Sequence, residues 1–293
     1  VKGIEYQRER ITLLDGDFLD LDWVDNGKKR LVILTHGLEG DSNRQYMLGM
    51  AKIFSQNGWD ALAWNCRSCS GEMNKAKRMY HHGDIDDIGA VISYAMQRKN
   101  YATIVLCGFS MGANITMKYL GVHGREVPAP ISAAVVFSAP TDLKAGAEIL
   151  DNLENIIYRK RFLYYLKQKM VVKAGQYPGV IDLENLKRIK VWRDFDEFFS
   201  APLNDFKDAS EFYEKASAKN FMPGIKVPTL LVQALNDPIL PPVCFPTALC
   251  ENHSYIHLEI PKNGGHVGFW RPNREFAWSE ERAIDFLKGI GIQ

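Results

Sequence analysis

Thr103-Ile104-Val105-Leu106-Cys107-Gly108-Phe109-Ser110-Met111-Gly112 is the stretch from which the fold can be read. Thr103 to Leu106 are β-favouring and mostly apolar, the pattern of a strand buried in a parallel sheet. Gly108 to Gly112 follow at once and fit G-x-S-x-G. From Ala113 the chain turns helical, with Ile115, Tyr119 and Leu120 at helical spacing until Gly121 and Gly124 end the run. A serine set between a strand and a helix by two nearby glycines is a nucleophile elbow. The turn asks the serine for a strained backbone, and the glycines leave room where a Cβ would collide. The hydroxyl then stands at the positive end of a helix, where a developing oxyanion is favoured.

The flanking sequence repeats the same strand-and-helix alternation. Residues 4–24 read as a strand pair turning at Asp15-Gly16-Asp17. Leu31 to Leu34 form a short apolar strand that runs into His36-Gly37-Leu38-Glu39-Gly40, a glycine-flanked loop whose peptide N–H groups are free to face a ligand. Ser42 to Phe54 is amphipathic and helical, Ala61 to Trp64 is a strand, and Asp84 to Arg98 is a helix with acids at its start and a base at its end. Ile131 to Phe137 adds a strand ending at Ser138-Ala139-Pro140. Such alternation marks an α/β protein built on a parallel sheet.

The alternation stops after Pro140. Residues 141–222 are helix-prone and polar with scattered aromatics (Phe162, Phe195, Phe199, Phe212 and Tyr213 among them), and no strand of sheet length occurs. This predicts three segments: a core part at 1–140, an inserted helical cap at 141–222, and a second core part at 223–293. The aromatics read either as packing of the cap on the sheet or as the wall of an apolar acyl pocket. The basic cluster Arg159, Lys160, Arg161, Lys167, Lys169 and Lys173 reads as a solvated helix face, with weak membrane-surface contact through the cap as its sharper alternative. Sheet grammar resumes at Val227 to Ala234, then Ile256 to Ile260, and Glu275 to Leu287 reads as a closing helix.

Composition narrows the function classes. The 293 residues carry 36 Lys+Arg against 35 Asp+Glu, and such a balance argues against general nucleic-acid binding. No apolar run reaches the length of a membrane span, and no hydrophobic leader precedes the first strand, although the chain starts at Val1 and a trimmed leader stays open. Five cysteines without framework spacing suit a cytoplasmic setting, and Cys66-Arg67-Ser68-Cys69 reads as structural rather than redox-active. Neither a cofactor nor a metal is expected.

A serine hydroxyl needs a neighbouring base, itself oriented by an acid, to act as a nucleophile. Asp237 follows the first strand after the insertion, and His266 follows the last strand in Asn263-Gly264-Gly265-His266. With Ser110 they give the order Ser, Asp, His, all at carboxyl ends of strands, where open α/β sheets place their sites. The peptide N–H groups of Leu38 and Met111 are the candidate oxyanion donors. Asp142 is a weaker candidate for the acid. His36, His81, His82, His123, His253 and His257 read as structural or surface side chains.

Several motifs resemble a known family. His36 to Asn43, Asn65 to Glu72, Arg78-Met79-Tyr80-His81-His82-Gly83 and Gly108 to Asn114 with Lys118-Tyr119-Leu120-Gly121 are four of them. Ser138-Ala139-Pro140, Phe195-Asp196-Glu197-Phe198 and Gly264 to Phe269 complete the set. Together they are similar to the YheT-like (AB-hydrolase-4 type) branch of the α/β-hydrolase superfamily. The resemblance implies an α/β-hydrolase fold with a mostly parallel eight-stranded sheet and a helical cap after the sixth strand. It also implies carboxylester hydrolysis of a small-molecule substrate, with Ser110, Asp237 and His266 as triad. Two departures affect the pocket: Cys66 stands where the family commonly has an aromatic, and Asn204-Asp205 replace a His-Gly pair. The expectation is therefore a serine esterase acting on short- to medium-chain acyl esters through an acyl-enzyme. An acyltransferase with the same triad, or a binding protein that keeps the fold without turnover, are the rivals.

Overall fold

The computed structural model of the chain describes Val1 and residues Gly3 to Ile292. Eight strands form one sheet: β1 (Gln7–Thr12), β2 (Phe18–Val24), β3 (Arg30–Thr35), β4 (Asp60–Asn65), β5 (Thr103–Phe109), β6 (Ile131–Phe137), β7 (Thr229–Val232) and β8 (Ile256–Glu259). Their spatial order is β1-β2-β4-β3-β5-β6-β7-β8. The first two strands pair antiparallel with their neighbours, and every pairing from β4 to β8 is parallel.

The strand period of two sorts side chains to the two faces. Along β5, Ile104 and Leu106 enter one core, and Val105, Cys107 and Phe109 enter the other. The second core is closed by α1 (Gln45–Gln56), which lies against the last helix of the chain. The first is covered by α2 (Ile85–Arg98) and α3 (Met111–His123) and extends into the insertion. Burial on both faces explains why the central strands read as continuous apolar runs.

Between β6 and β7 the described residues are helical: α4 (Leu143–Leu150), α5 (Ile156–Gln176), α6 (Glu184–Arg188), α7 (Trp192–Phe195), α8 (Ala201–Leu203) and α9 (Ala209–Ala216), with a π-turn at Asp196–Ser200. The insertion grips the core by polar contacts. Lys173 of α5 is buried and donates to Asn74 O (2.8 Å), Asn74 Oδ1 (2.9 Å) and Ala76 O (2.7 Å). Lys169 donates to Glu39 Oε1 (2.8 Å), which also accepts from the Tyr80 hydroxyl. These two lysines belong to the cluster expected to be a solvated face, so that expectation holds only for part of it. Their side chains project from the inner side of α5, where buried acceptors wait.

After β7 come α10 (Thr247–Glu251) and α11 (Trp278–Gly289). The closing helix starts at Trp278 rather than Glu275, because the Trp278 N–H is taken by Phe269 O (2.9 Å) in the preceding loop.

The packing of α3 against β3 fixes where the elbow stands. A Cβ at Gly112 would lie 2.2 Å from Thr35 O and 2.6 Å from its carbonyl carbon, both backbone atoms that cannot turn aside. Gly112→Ala should therefore push α3 off the sheet. The expected cost is about 2–3 kcal/mol, read as a lowered midpoint in thermal or urea unfolding.

Candidate active site

Ser110 sits between β5 and α3 at φ 53°, ψ −117°, a conformation that side-chain-bearing residues rarely adopt. It is held there by its own N–H donating to Phe137 O (2.9 Å), and its carbonyl accepts from Ala113 (2.9 Å) and Asn114 (3.1 Å) as α3 begins. The side chain stands at the carboxyl edge of the sheet, at the start of a thirteen-residue helix.

His266 Nε2 lies 2.8 Å from Ser110 Oγ, and His266 Nδ1 lies 2.8 Å from Asp237 Oδ2. A carboxylate can only accept, so Nδ1 carries the proton and Nε2 is left to accept from the serine. The second carboxylate oxygen, Asp237 Oδ1, accepts from the Ile239 N–H (3.1 Å). Asp237 is buried and follows β7; His266 follows β8. The three residues taken from the sequence as a set are thus brought together across 156 positions of chain.

The loop carrying His266 is itself built to shape. Asn236 Oδ1 accepts from the N–H groups of Gly264 and Gly265 (2.9 Å each), and Ser138 Oγ accepts from Val267 N–H (3.1 Å). A Cβ on Gly264 would come 2.4 Å from the Phe269 ring and 2.7 Å from Ala234 Cβ. Below the loop runs a column of rings: Tyr46 on Phe109 (4.7 Å between centroids), Phe109 on Phe137 (5.3 Å), Phe137 on Phe269 (5.6 Å) and Phe269 on Trp278 (5.7 Å). The column joins the residue before Ser110 to the loop that bears His266. Offset and edge contacts of this kind contribute about 0.5–1.5 kcal/mol each beyond area burial.

Leu38 lies beside Ser110 and His266 in the wall of the same chamber. Among the described residues no hydrogen bond engages the peptide N–H of Leu38 or of Met111. The loop is fixed from both sides. His36 Nδ1 donates to Gly37 O (2.7 Å), and its Nε2 accepts from Cys66 N–H (3.0 Å). Burial pushes the His36 pKa down to about 4, so the ring is neutral and structural, as its sequence context suggested. Burial likewise holds His81 and His82 at about 3. Asp142, the rival acid, caps α4 at Ala145 N–H (3.1 Å) and pairs with Lys219, so it is not the partner of His266.

The chamber at Ser110 has a volume of about 50 Å³, and a second cavity of about 30 Å³ lies next to it; Leu38, His82, Trp192, Asp196 and Phe212 line both. Phe162 and Tyr213 border the first, and Phe195 and Phe199 border the second. Some of the scattered aromatics therefore do line a pocket, whereas Tyr164 and Tyr165 point to solvent. Two contributors were missed in the sequence: Trp192, and the α4 face made by Leu143, Ala147 and Leu150. The i, i+4, i+7 spacing of that face, directly after a strand end, was the available signal.

The matches to known proteins follow the same outline. Residues 30–271 fit the family described as alpha/beta hydrolase fold. The provisionally named esterase YheT of Escherichia coli (strain K12) is 32% identical over 288 residues, covering 95% of this chain and 84% of that one. The chain belongs to the α/β-hydrolase family. Phospholipase ABHD3 of Mus musculus is 26% identical, with coverage of 91% and 67% of the two chains. Monoacylglycerol lipase of Saccharomyces cerevisiae is 28% identical, with coverage of 90% and 60%. Among solved structures, the Pyrococcus furiosus esterase Pf2001 superposes with a TM-score of 0.65 at 19% identity over 97% of this chain and 92% of that one, a likeness of fold.

Asp196 is a buried carboxyl in the wall of this α/β-hydrolase's chamber. It accepts from Ser200 Oγ (2.7 Å) and Tyr213 OH (2.8 Å). Burial outweighs those bonds and pushes its pKa up from 3.8 to about 6. A raised carboxyl favours the folded state while protonated, and the advantage is lost as pH climbs from about 4 through about 6. Asp196→Asn should accordingly gain stability on the order of 2 kcal/mol above about pH 6 and nothing below about pH 4. Thermal melts of both proteins across that range check the sign.

Proposed function

We propose that this α/β-hydrolase is a serine esterase acting through Ser110, His266 and Asp237. The observation that carries the reading is the continuous hydrogen-bonded path from Asp237 through His266 to Ser110 Oγ, with both contacts at 2.8 Å. His266 takes the Ser110 proton as Oγ attacks an ester carbonyl, and Asp237 keeps the imidazole in the right tautomer and stabilises the cation that forms. The N–H groups of Leu38 and Met111 hold the oxyanion, each donor contributing roughly 3 kcal/mol of transition-state stabilisation. His266 then hands the proton to the leaving alcohol, an acyl-enzyme remains on Ser110, and water activated by the same histidine releases the acid. The esterase, phospholipase and lipase names of the relatives support ester substrates. The five unpaired cysteines support a reducing, cytoplasmic setting.

Size and polarity of the chamber bear on the acyl group. About 50 Å³ walled by Leu143, Ala147, Leu150 and Phe162 suits a short apolar chain, and a medium one has to displace the wall toward the adjoining cavity. In this reading the residues between β6 and β7 act as a cap that sets chain length.

Two experiments test the proposal. Ser110→Ala should lower p-nitrophenyl ester hydrolysis by about 10⁴-fold or more, and full activity in that variant would sink the mechanism. Trp192→Ala, by opening the wall shared by the two cavities, should move the optimum of a p-nitrophenyl ester series to longer acyl chains; an unchanged profile would remove the chain-length reading.

A further inference from the structure

Helix α5 has an unpartnered outer face of unusual make-up. Leu153, one turn before it, and Ile157, Tyr164, Tyr165, Val171 and Val172 along it are all solvent-exposed, from 43% for Tyr165 to 84% for Leu153. At about 100° per residue these positions share an arc of roughly 120°. Lys160, at the edge of that arc, and Arg161, inside it, are exposed and make no ion pair among the described residues, and the exposed Glu154 beside Leu153 is the one acid there. Between Asn155 and Ile181 the chain holds six basic residues and not one acid. Soluble helices ordinarily turn charged and polar residues of both signs outward. Here the outward face is apolar and cationic, while the inward face is occupied by Leu166, Met170 and the tethering Lys169 and Lys173.

We infer that this face docks on an anionic lipid surface. Aliphatic and tyrosyl side chains enter the boundary between headgroups and acyl chains, and the long stems of Lys160 and Arg161 let their charges reach the phosphates. The charge argues for this occupant over a second copy of the chain, because two such faces brought together would oppose like charges. The same helix lines the cavities by its inner side, through Phe162 at the Ser110 chamber and Leu166 and Met170 at its neighbour. Docking would therefore set the lipid next to the element that closes the site, so esters carried in a membrane are the substrates it is placed to meet. That last step rests on the esterase reading; the binding itself does not.

The test is sedimentation of the full chain carrying Ser110→Ala, which separates binding from turnover, with vesicles of phosphatidylcholine alone or mixed with phosphatidylglycerol. Binding to the mixed vesicles, weakened by about tenfold or more in Lys160→Glu/Arg161→Glu and again at high salt, is the expected result. Ile157→Ser/Tyr164→Ser/Val171→Ser should weaken it as much, with hydrolysis of a soluble ester unchanged in the Ser110 parent. A dye on Gln168→Cys, in the middle of the face, should shift to the blue with mixed vesicles and keep the proposal testable if a multiple variant folds poorly. Equal binding by wild type and variants, no preference for anionic vesicles, or a chain that dimerises through this face and ignores vesicles would each overturn it.

Discussion

The backbone of Ser110 is the constraint on which the site depends. A positive φ at a side-chain-bearing residue persists only where its surroundings over-determine it, and here the determinants come from three directions. Phe137 O holds the serine N–H, α3 presses through Gly112 onto the end of β3, and the ring column fixes Phe109 from below. The same helix then organises what lies around it. Asn114 of α3 donates to His82 O and Ala216 O and accepts from Ala218 N–H, all at 2.8–2.9 Å, so one buried amide ties the elbow, the His81-His82 loop and the end of the insertion together. With its hydrogen-bonding groups met from both sides, that amide is well placed to specify geometry.

Much of this was legible in the sequence because parallel strands buried on both faces are dense in β-branched and apolar residues and end in turn-forming loops. The carboxyl ends of β3, β5, β7 and β8 were readable for that reason, and with them Leu38, Ser110, Asp237 and His266. What was not legible depends on partners distant in the chain. Lys169 and Lys173 look like Lys160 and Arg161 in any local window, and only Glu39 and Asn74, about a hundred or more positions away, separate the buried pair from the exposed one. Trp192 is likewise silent in sequence, since a four-residue helix has no periodicity to display. The start of α11 was misplaced because a tertiary hydrogen bond from Trp278 to Phe269 delays it, which local propensity does not register.

The way the insertion is held also bears on the site. Lys169 grips Glu39 in the Leu38 loop, and Asn155 at the start of α5 donates to Pro238 O (2.8 Å) beside Asp237. Together with Asn114 these contacts reach the loops or helices that carry Leu38, Asp237 and Ser110. Buried polar links of this type add little net stability over a well-packed apolar interface. Their geometry is directional, however, and a helix fixed by them has a defined seat over the chamber rather than a sliding one.

The ring column has a consequence for the order in which the molecule is completed. Tyr46, Phe109 and Phe137 belong to segments synthesised in the first half of the chain, whereas Phe269 and Trp278 arrive near its end. Domains generally fold as units, and both ends of the column lie in one core that α11 also enters, so the Ser110 turn is not secured until the His266 loop and α11 are in place. Only when Trp278 stacks on Phe269 does the His266 loop gain its footing. A chain that stops short of Trp278 would therefore lack support for the Ser110 turn as well as for the His266 loop.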